Sequence, residues 1–304
     1  MNELRGAVVA AVTPLGRDQS VDLGALRALV DYYVDNRAHG LFVLASQGEF
    51  FSLDPRERRQ VTRAAVRAAR GRIPVVVNTG AVSTRTSLRL SEEAEGEGVD
   101  AIGLITPYYL KPSPQELLEH YRTILRGVRC PVYAYNNPAR AGGVGLAPAT
   151  VTRLAETSDR FAGIFDGVGD LRNGRRYSRL QGGRFAYFLA GHLDVTSAIR
   201  AGARGGVSAM ANAAPREFAA MFEAASRGDL AEAECLRKRL EPLDALFRTG
   251  PFPGLMKACL ELLGLRVGPP RLPALPASPV IRAKAKVVLA RLEGLRHASR
   301  GGGS

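Results

Sequence analysis

A chain of 304 residues, 46% hydrophobic and with a formal net charge of +13, has enough apolar material for one large core, and α/β barrels enclose this much chain as a single unit. No apolar run reaches the roughly 18 residues that a membrane-spanning helix needs, and no charged start followed by an apolar stretch marks a secretory leader, so a cytoplasmic protein with no membrane partner is expected. The charge is unevenly spread: from Arg266 onward eight Lys or Arg stand against the single acid Glu293, so +7 of the +13 lies in that segment. Without interleaved aromatics, a zinc-finger spacing, an RRM signature or a helix-turn-helix, this reads as a solvated basic helix rather than a nucleic-acid surface. Cys130, Cys235 and Cys259 are far apart, with no CxxC and no histidine at ligand spacing. They are expected to be buried thiols, and no metal or other cofactor site is written in the pattern.

In chain order, short β-prone runs alternate with amphipathic stretches. The expected strands are Ala7–Thr13, Gly40–Leu44, Pro74–Asn78, Ala101–Thr106, Val132–Asn136, Phe161–Asp166, Tyr187–Gly191 and Gly205–Ala209. Between the first two, Asp22 precedes Leu23, Leu26, Val30 and Tyr33 at helical spacing. Asp54-Pro55-Arg56-Glu57 and Ser113-Pro114-Gln115-Glu116 each present a cap, a proline at the first helical position and a glutamate at the third. Eight β-then-α units in succession predict a closed parallel barrel, and no GxGxxG follows the first strand to support a dinucleotide fold. His39 and His120 are expected on helices, away from the strand ends.

Beyond the eighth strand the pattern becomes wholly helical, over Arg216–Arg227, Asp229–Leu246, Phe252–Leu263 and Val280–Leu295, broken at Gly228-Asp229, Gly250-Pro251 and the proline-rich Gly268–Pro279. The expected organisation is a (β/α)8 barrel over residues 1–215, a helical extension over 216–299 that packs on it, and a flexible tail over 300–304.

In such a barrel chemistry belongs at the C-terminal ends of the strands. The stretch from Pro131 to Gly142 concentrates it: a strand ends in Tyr135-Asn136-Asn137-Pro138, followed by Arg140. A phenol relays protons and a guanidinium forks onto a carboxylate or phosphate, which together suit a small anionic molecule. A strand end with a buried tyrosine and a surface arginine is the plainer reading of the same stretch. The other strand ends bring Ser46, Gln47, Tyr109, Asp166, Gly191, His192, Val207 and Ser208. His192 titrates near neutrality and suits acid/base work, or it is a polar loop residue. Asp166, which follows the inward-facing position of Phe165, is a secondary candidate for substrate binding: strand alternation directs it outward unless the strand has already ended there.

In order and spacing, Thr13-Pro14, Gly48-Glu49, Gly80, Thr106-Pro107-Tyr108-Tyr109, Tyr135-Asn136, Pro138, Arg140, Gly163-Ile164, Gly191 and Ala211-Asn212 resemble the dihydrodipicolinate synthase and N-acetylneuraminate lyase superfamily of class I aldolases, from Gly6 to about Leu263. The resemblance implies a TIM barrel that assembles as a homotetramer or homodimer. It implies carboxylate binding at Ser46 and Gln47, where the family carries two hydroxyls. It assigns proton-relay phenols to Tyr135 and to Tyr109, the latter reaching a neighbouring subunit, and carboxylate recruitment to Arg140. It also exposes a departure, because the strand that carries Gly-Ile-Lys in the family reads Gly163-Ile164-Phe165-Asp166 here. The chain has five lysines, Lys111, Lys238, Lys257, Lys284 and Lys286, and none falls between 111 and 238. Phe165 cannot form an imine, so the expected activity is non-Schiff-base acid/base chemistry on a small carboxylate or 2-oxo-acid-like compound, with Asn137, Gly191, Val207 and Phe165 completing the pocket. Lys111 is expected to be a hydrated loop amine near the mouth. The alternative is a non-catalytic homologue that binds a ligand or a protein partner.

Overall fold

A computed structural model describes residues 3–191 and 193–301, with side chains described up to Leu292. Among the described residues, eight short strands form one sheet: β1 Gly6–Ala10, β2 Gly40–Val43, β3 Val75–Asn78, β4 Ala101–Ile105, β5 Val132–Asn136, β6 Phe161–Asp166, β7 Ala186–Ala190 and β8 Gly205–Ser208. They pair in parallel in chain order, and β8 returns to β1 to close the barrel. Each is followed by a helix: α1 Leu23–Asp35, α2 Pro55–Ala69, α3 Thr84–Gly96, α4 Pro114–Gly127, α5 Pro148–Thr157, α6 Leu171–Tyr177, α7 Val195–Arg200 and α8 Pro215–Ser226. This is a TIM barrel. Parallel strands covered on both faces must be apolar throughout, which is why β2 and β3 read Gly-Leu-Phe-Val and Val-Val-Val-Asn without alternation.

The lower part of the barrel is filled by rings. Phe165 sits among Phe42, Tyr133 and Phe188, with centroid distances of 4.9, 5.1 and 5.4 Å; its ring stacks on Tyr133 and meets Phe188 edge-on. Each such pair contributes about 0.5–1.5 kcal/mol beyond the area it buries. Two strand glycines, Gly103 within β4 and Gly205 at the start of β8, make the room. A Cβ at Gly103 would come within 2.3 Å of the Phe42 ring, and one at Gly205 within 2.8 Å of Phe188.

Local signals set the helix starts. Asp54 and Ser113 form complete capping boxes with Glu57 and Glu116, and Asp22 accepts from the Ala25 N–H at 2.8 Å. Each cap is worth about 1 kcal/mol. The first strand is shorter than its apolar run. Its ladder stops before Thr13 because the Val12 N–H turns to the Asn212 side chain, 3.1 Å away, which arrives from the segment after β8. The same amide donates to the Ala10 carbonyl at 2.8 Å, so Asn212 fastens the closing seam of the barrel.

The helix expected at 216–227 is α8. It packs on α7 and β1 as the eighth member of the outer ring, so the added helices start with the next one. These are α9 Leu230–Thr249, α10 Gly254–Leu262 and α11 Pro279–Gly301. α9 lies along α8 and α11, burying Leu236, Leu240, Leu243 and Leu246. Of the expected tail, residues 302–304 lie outside the described residues, while 300 and 301 end α11.

Two further expectations change. His39 is not helical: it precedes β2, where its Nδ1 accepts from the Ala7 N–H at 2.9 Å and Nε2 lies 3.1 Å from Glu223. Of the three cysteines only Cys259 is fully buried; Cys235 is exposed because it falls on the outer side of α9. Among the described residues no helix is long and apolar enough to cross a membrane.

Candidate active site

The C-terminal ends of the strands open into a cavity of about 280 Å³. Ala10, Phe42, Ala190 and Val207 supply apolar surface; Ser46, Gln47, Tyr135, Asn137 and Arg140 supply polar groups, with Gly191 on the far wall. The roof comes from the added helices: Phe247 and Arg248 at the end of α9, then Gly250 to Pro253 leading into α10. A largely apolar hollow with a few convergent polar groups is the usual form of a small-molecule site.

The polar groups form one chain. The Tyr135 hydroxyl lies 3.1 Å from Ser46 Oγ, and the Asn137 amide donates to the same phenol oxygen at 3.1 Å. Tyr135 reaches this point because β5 alternation turns Tyr133 and Tyr135 inward, while Asn136 turns outward to donate to Asp166 at 2.8 Å and to accept from the Leu146 N–H at 2.9 Å. Burial pushes the Tyr135 phenol above its ordinary range, against the pull of Ser46, Asn137 and the Arg140 charge. The phenol therefore keeps its proton at neutral pH and is available to donate it.

Arg140 brings a cation to the cavity wall from the barrel side. Its guanidinium lies over the Phe252 ring at 3.6 Å from the centroid, and burial lowers its pKa, partly offset by Tyr135. Among the described residues no carboxylate pairs with it, so an incoming anion meets an uncompensated positive charge.

The loop bearing Ser46 and Gln47 is held from behind. It makes a short 3-10 turn, Ser46–Gly48, then Glu49 takes a left-handed conformation at φ 56°. The fully buried Glu49 carboxylate lies 2.6 Å from Lys257 Nζ on α10 and accepts from the Arg271 N–H at 2.8 Å. Lys257 also donates to the Pro269 carbonyl at 2.9 Å, and its pKa is lowered by burial against the opposing pull of Glu49. Gln47 Nε2 donates to the Pro253 carbonyl at 3.4 Å, and Thr13 Oγ1 to the Gly48 carbonyl at 2.7 Å. The rim loop is thus clamped between β1 and the added helices.

Of the sequence-predicted site residues, Ser46, Gln47, Tyr135, Asn137, Arg140, Gly191 and Val207 meet in this cavity. Phe165 does not line it. The side chain lies wholly buried beneath, in the ring cluster, because inward β6 positions at that level fill the barrel core. Asp166 does not line it either, since the next strand residue faces the helices; its charge adds to burial in raising the phenols of Tyr177 and Tyr187. Tyr109 stands on the β4–α4 loop, 90% exposed and at φ 82°, outside this chain's own cavity. His192 lies outside the described residues. Lys111 is exposed and is not the only amine near the mouth: Lys257 lies behind the rim loop, fully engaged. The roof residues Phe247, Arg248 and Phe252 were not anticipated. Their one sequence signal is the Gly250-Pro251-Phe252-Pro253 break, which marks a turn and not a site. Lys257 had a clearer one, a lone lysine inside the apolar run Gly254-Leu-Met-Lys-Ala-Cys-Leu.

A sequence model of the dihydrodipicolinate synthetase family matches residues 3–292. The 4-hydroxy-tetrahydrodipicolinate synthase of Alcanivorax borkumensis is 37% identical over 277 residues, covering 90% of this chain and 93% of the relative. That of Anaeromyxobacter dehalogenans is 35% identical over 96% of this chain and 98% of its own length. Among solved structures, the 4-hydroxy-tetrahydrodipicolinate synthase of Methylacidiphilum fumariolicum superposes with a TM-score of 0.92 at 29% identity, over 98% of this chain and 99% of that one. The Escherichia coli prophage protein YagE, solved in complex with pyruvate, gives 0.90 at 29% identity over 95% of this chain and 98% of that one. With its barrel and nearly its whole length accounted for in this way, the chain belongs to the dihydrodipicolinate synthetase family.

Proposed function

We propose that this chain is a lyase-type enzyme acting on a small carboxylate or 2-oxo-acid-like compound by acid/base chemistry, without a covalent imine. The observation that supports this most directly is the cavity itself, in which an unpaired arginine faces a hydrogen-bonded phenol, while no lysine lines the wall among the described residues. The Gly163-Ile164 register makes Phe165 the counterpart of the family's imine-forming lysine, and a phenyl ring supplies no nucleophile. Neither remaining candidate replaces it: Lys111 is exposed, and Lys257 is committed to Glu49.

In this reading Arg140 draws the carboxylate into the cavity. Tyr135 then donates its proton to an oxygen where negative charge develops, and the Ser46 hydroxyl, 3.1 Å away, steadies the resulting phenolate with a hydrogen bond. The proton returns to Tyr135 from the substrate or from solvent. Such a pair supports elimination, hydration, cyclisation, decarboxylation or a retro-aldol step on a substrate that is already activated. Tyr109, exposed and in a backbone conformation that costs free energy, is read as belonging to the site of a second copy in a homodimer or homotetramer.

The test joins two measurements. Incubation with pyruvate and borohydride should leave the intact mass unchanged. Thermal-shift titration with 2-oxo and hydroxy acids should stabilise the wild type and lose that effect in Arg140→Ala. An adduct refutes the mechanism, and indifference to every acid refutes the substrate class. Stabilisation by an acid that is never converted would instead identify a ligand-binding protein without catalysis.

A further inference from the structure

The cavity carries two positive side chains, supplied by different parts of the fold. Arg140 follows β5 and is exposed at the cavity mouth, while Arg248 occupies the last turn of α9 and borders the same cavity from the roof. Among the described residues no Asp or Glu lines the wall. Arg248 donates through Nε to Asp244 Oδ2 at 2.8 Å, one helical turn back. That contact fixes the stem of the guanidinium and uses only its inner nitrogen; the two terminal nitrogens take no protein acceptor among the described residues. A guanidinium held in this way presents two parallel donors to an acceptor arriving from the cavity. Two arginines border a hollow of about 280 Å³, and because Asp244 takes only the inner nitrogen of Arg248, a ligand with a single carboxylate leaves one guanidinium edge without an acceptor.

We propose that the ligand is a small dicarboxylate, bound at one end by Arg140 beside the Ser46, Tyr135 and Asn137 cluster and at the other by Arg248, which makes Arg248 a specificity-determining residue. The inference rests on the reading of the cavity as a carboxylate site. Its occupant combines two charged ends with a short apolar middle that lies on Phe42, Ala10 and Val207. Monocarboxylates bind in the same place through Arg140 alone. Arg248 being 64% exposed, its contact adds to affinity through paired charge-assisted hydrogen bonds more than through burial.

Calorimetric titration at fixed ionic strength with chain-matched pairs tests this, using glutarate against pentanoate and 2-oxoglutarate against 2-oxopentanoate. In the wild type each dicarboxylate should bind at least about tenfold more tightly than its partner. Arg248→Gln should bring the dicarboxylate down to the monocarboxylate value and change the monocarboxylate less than about twofold. Arg239→Gln, on the same helix but off the cavity, should leave the preference intact. Equal binding of the two members of a pair in the wild type overturns the proposal, as does a preference that survives Arg248→Gln or falls equally with Arg239→Gln. In those cases monocarboxylate binding that still depends on Arg140 leaves the carboxylate reading standing. Failure of every acid to bind overturns both.

Discussion

The guanidinium of Arg140 lies 3.6 Å from the centroid of the Phe252 ring, so a loop of the barrel and a turn of the added helices hold each other across the cavity. A cation over an aromatic face in a partly desolvated site is worth about 1 kcal/mol. The contact also sets the direction in which the arginine points. Phe252→Leu should therefore keep the fold and weaken carboxylate binding about fivefold, measured by calorimetry with the best-binding acid. Unchanged affinity would show that Arg140 is positioned by the loop alone.

Glu49 and Lys257 form an ion pair in which the side chains are 0% and 2% exposed. Breaking such a pair strands a buried charge and costs on the order of 3–5 kcal/mol, whereas replacing both partners with apolar groups is far milder. Lys257→Met should lower the chemical denaturation midpoint sharply, and adding Glu49→Leu should recover much of the loss. Additive losses in the double variant would show that the two do not interact as a unit. Because Glu49 directly follows the Ser46–Gly48 turn, Lys257→Met should also weaken acid binding at temperatures where the protein is still folded.

Phe165 is fully buried among three other rings. Phe165→Lys should thus cost several kcal/mol of stability, from lost ring contacts and a buried amine. If the variant folds, desolvation lowers its amine pKa and makes it a nucleophile. Pyruvate and borohydride should then add a stable mass to the peptide containing residue 165, with Tyr135 positioned to relay the proton. A folded variant that cannot be trapped would argue that Gln47 and the aromatic floor exclude a 2-oxo acid.

His120 on α4 is buried, with Nδ1 2.9 Å from Thr84 Oγ1, and burial pushes its pKa down from 6.5 to about 4. The folded state holds it neutral while the unfolded chain binds a proton below pH 6.5. Its contribution is complete above pH 6.5 and is lost as the pH falls through 4. Stability should decline across that window by on the order of 2–3 kcal/mol, and His120→Gln should flatten the decline. Glu97, held near a pKa of about 2 first by its hydrogen bond to Arg63, has a depressed folded pKa. Its own contribution is therefore lost only at lower pH, between about 4.5 and 2, so denaturation curves at pH 7, 5.5 and 4.5 isolate the histidine. An identical slope in the variant would contradict the assignment.

What could be read from the chain alone was whatever is encoded within a few residues of itself. Eight apolar runs alternating with capped helices specify parallel β/α units, and Asp54-Pro55 and Ser113-Pro114 start helices through hydrogen bonds to their own next turn. Period-two alternation sends Tyr135 inward and Asn136 outward, so the barrel-borne half of the cavity, with Ser46, Asn137 and Arg140, was legible at the strand ends. The other half was not. Gln47 meets Pro253 across 206 residues and Arg271 meets Glu49 across 222, contacts with no local propensity behind them. They exist because α9 and α10 must bury an apolar face, and the barrel mouth is where the turn between them comes to rest. Tertiary packing alone decided that Arg248 and Phe252 would face the cavity, that Phe165 would sink beneath it, and that Lys257 would be spent on Glu49.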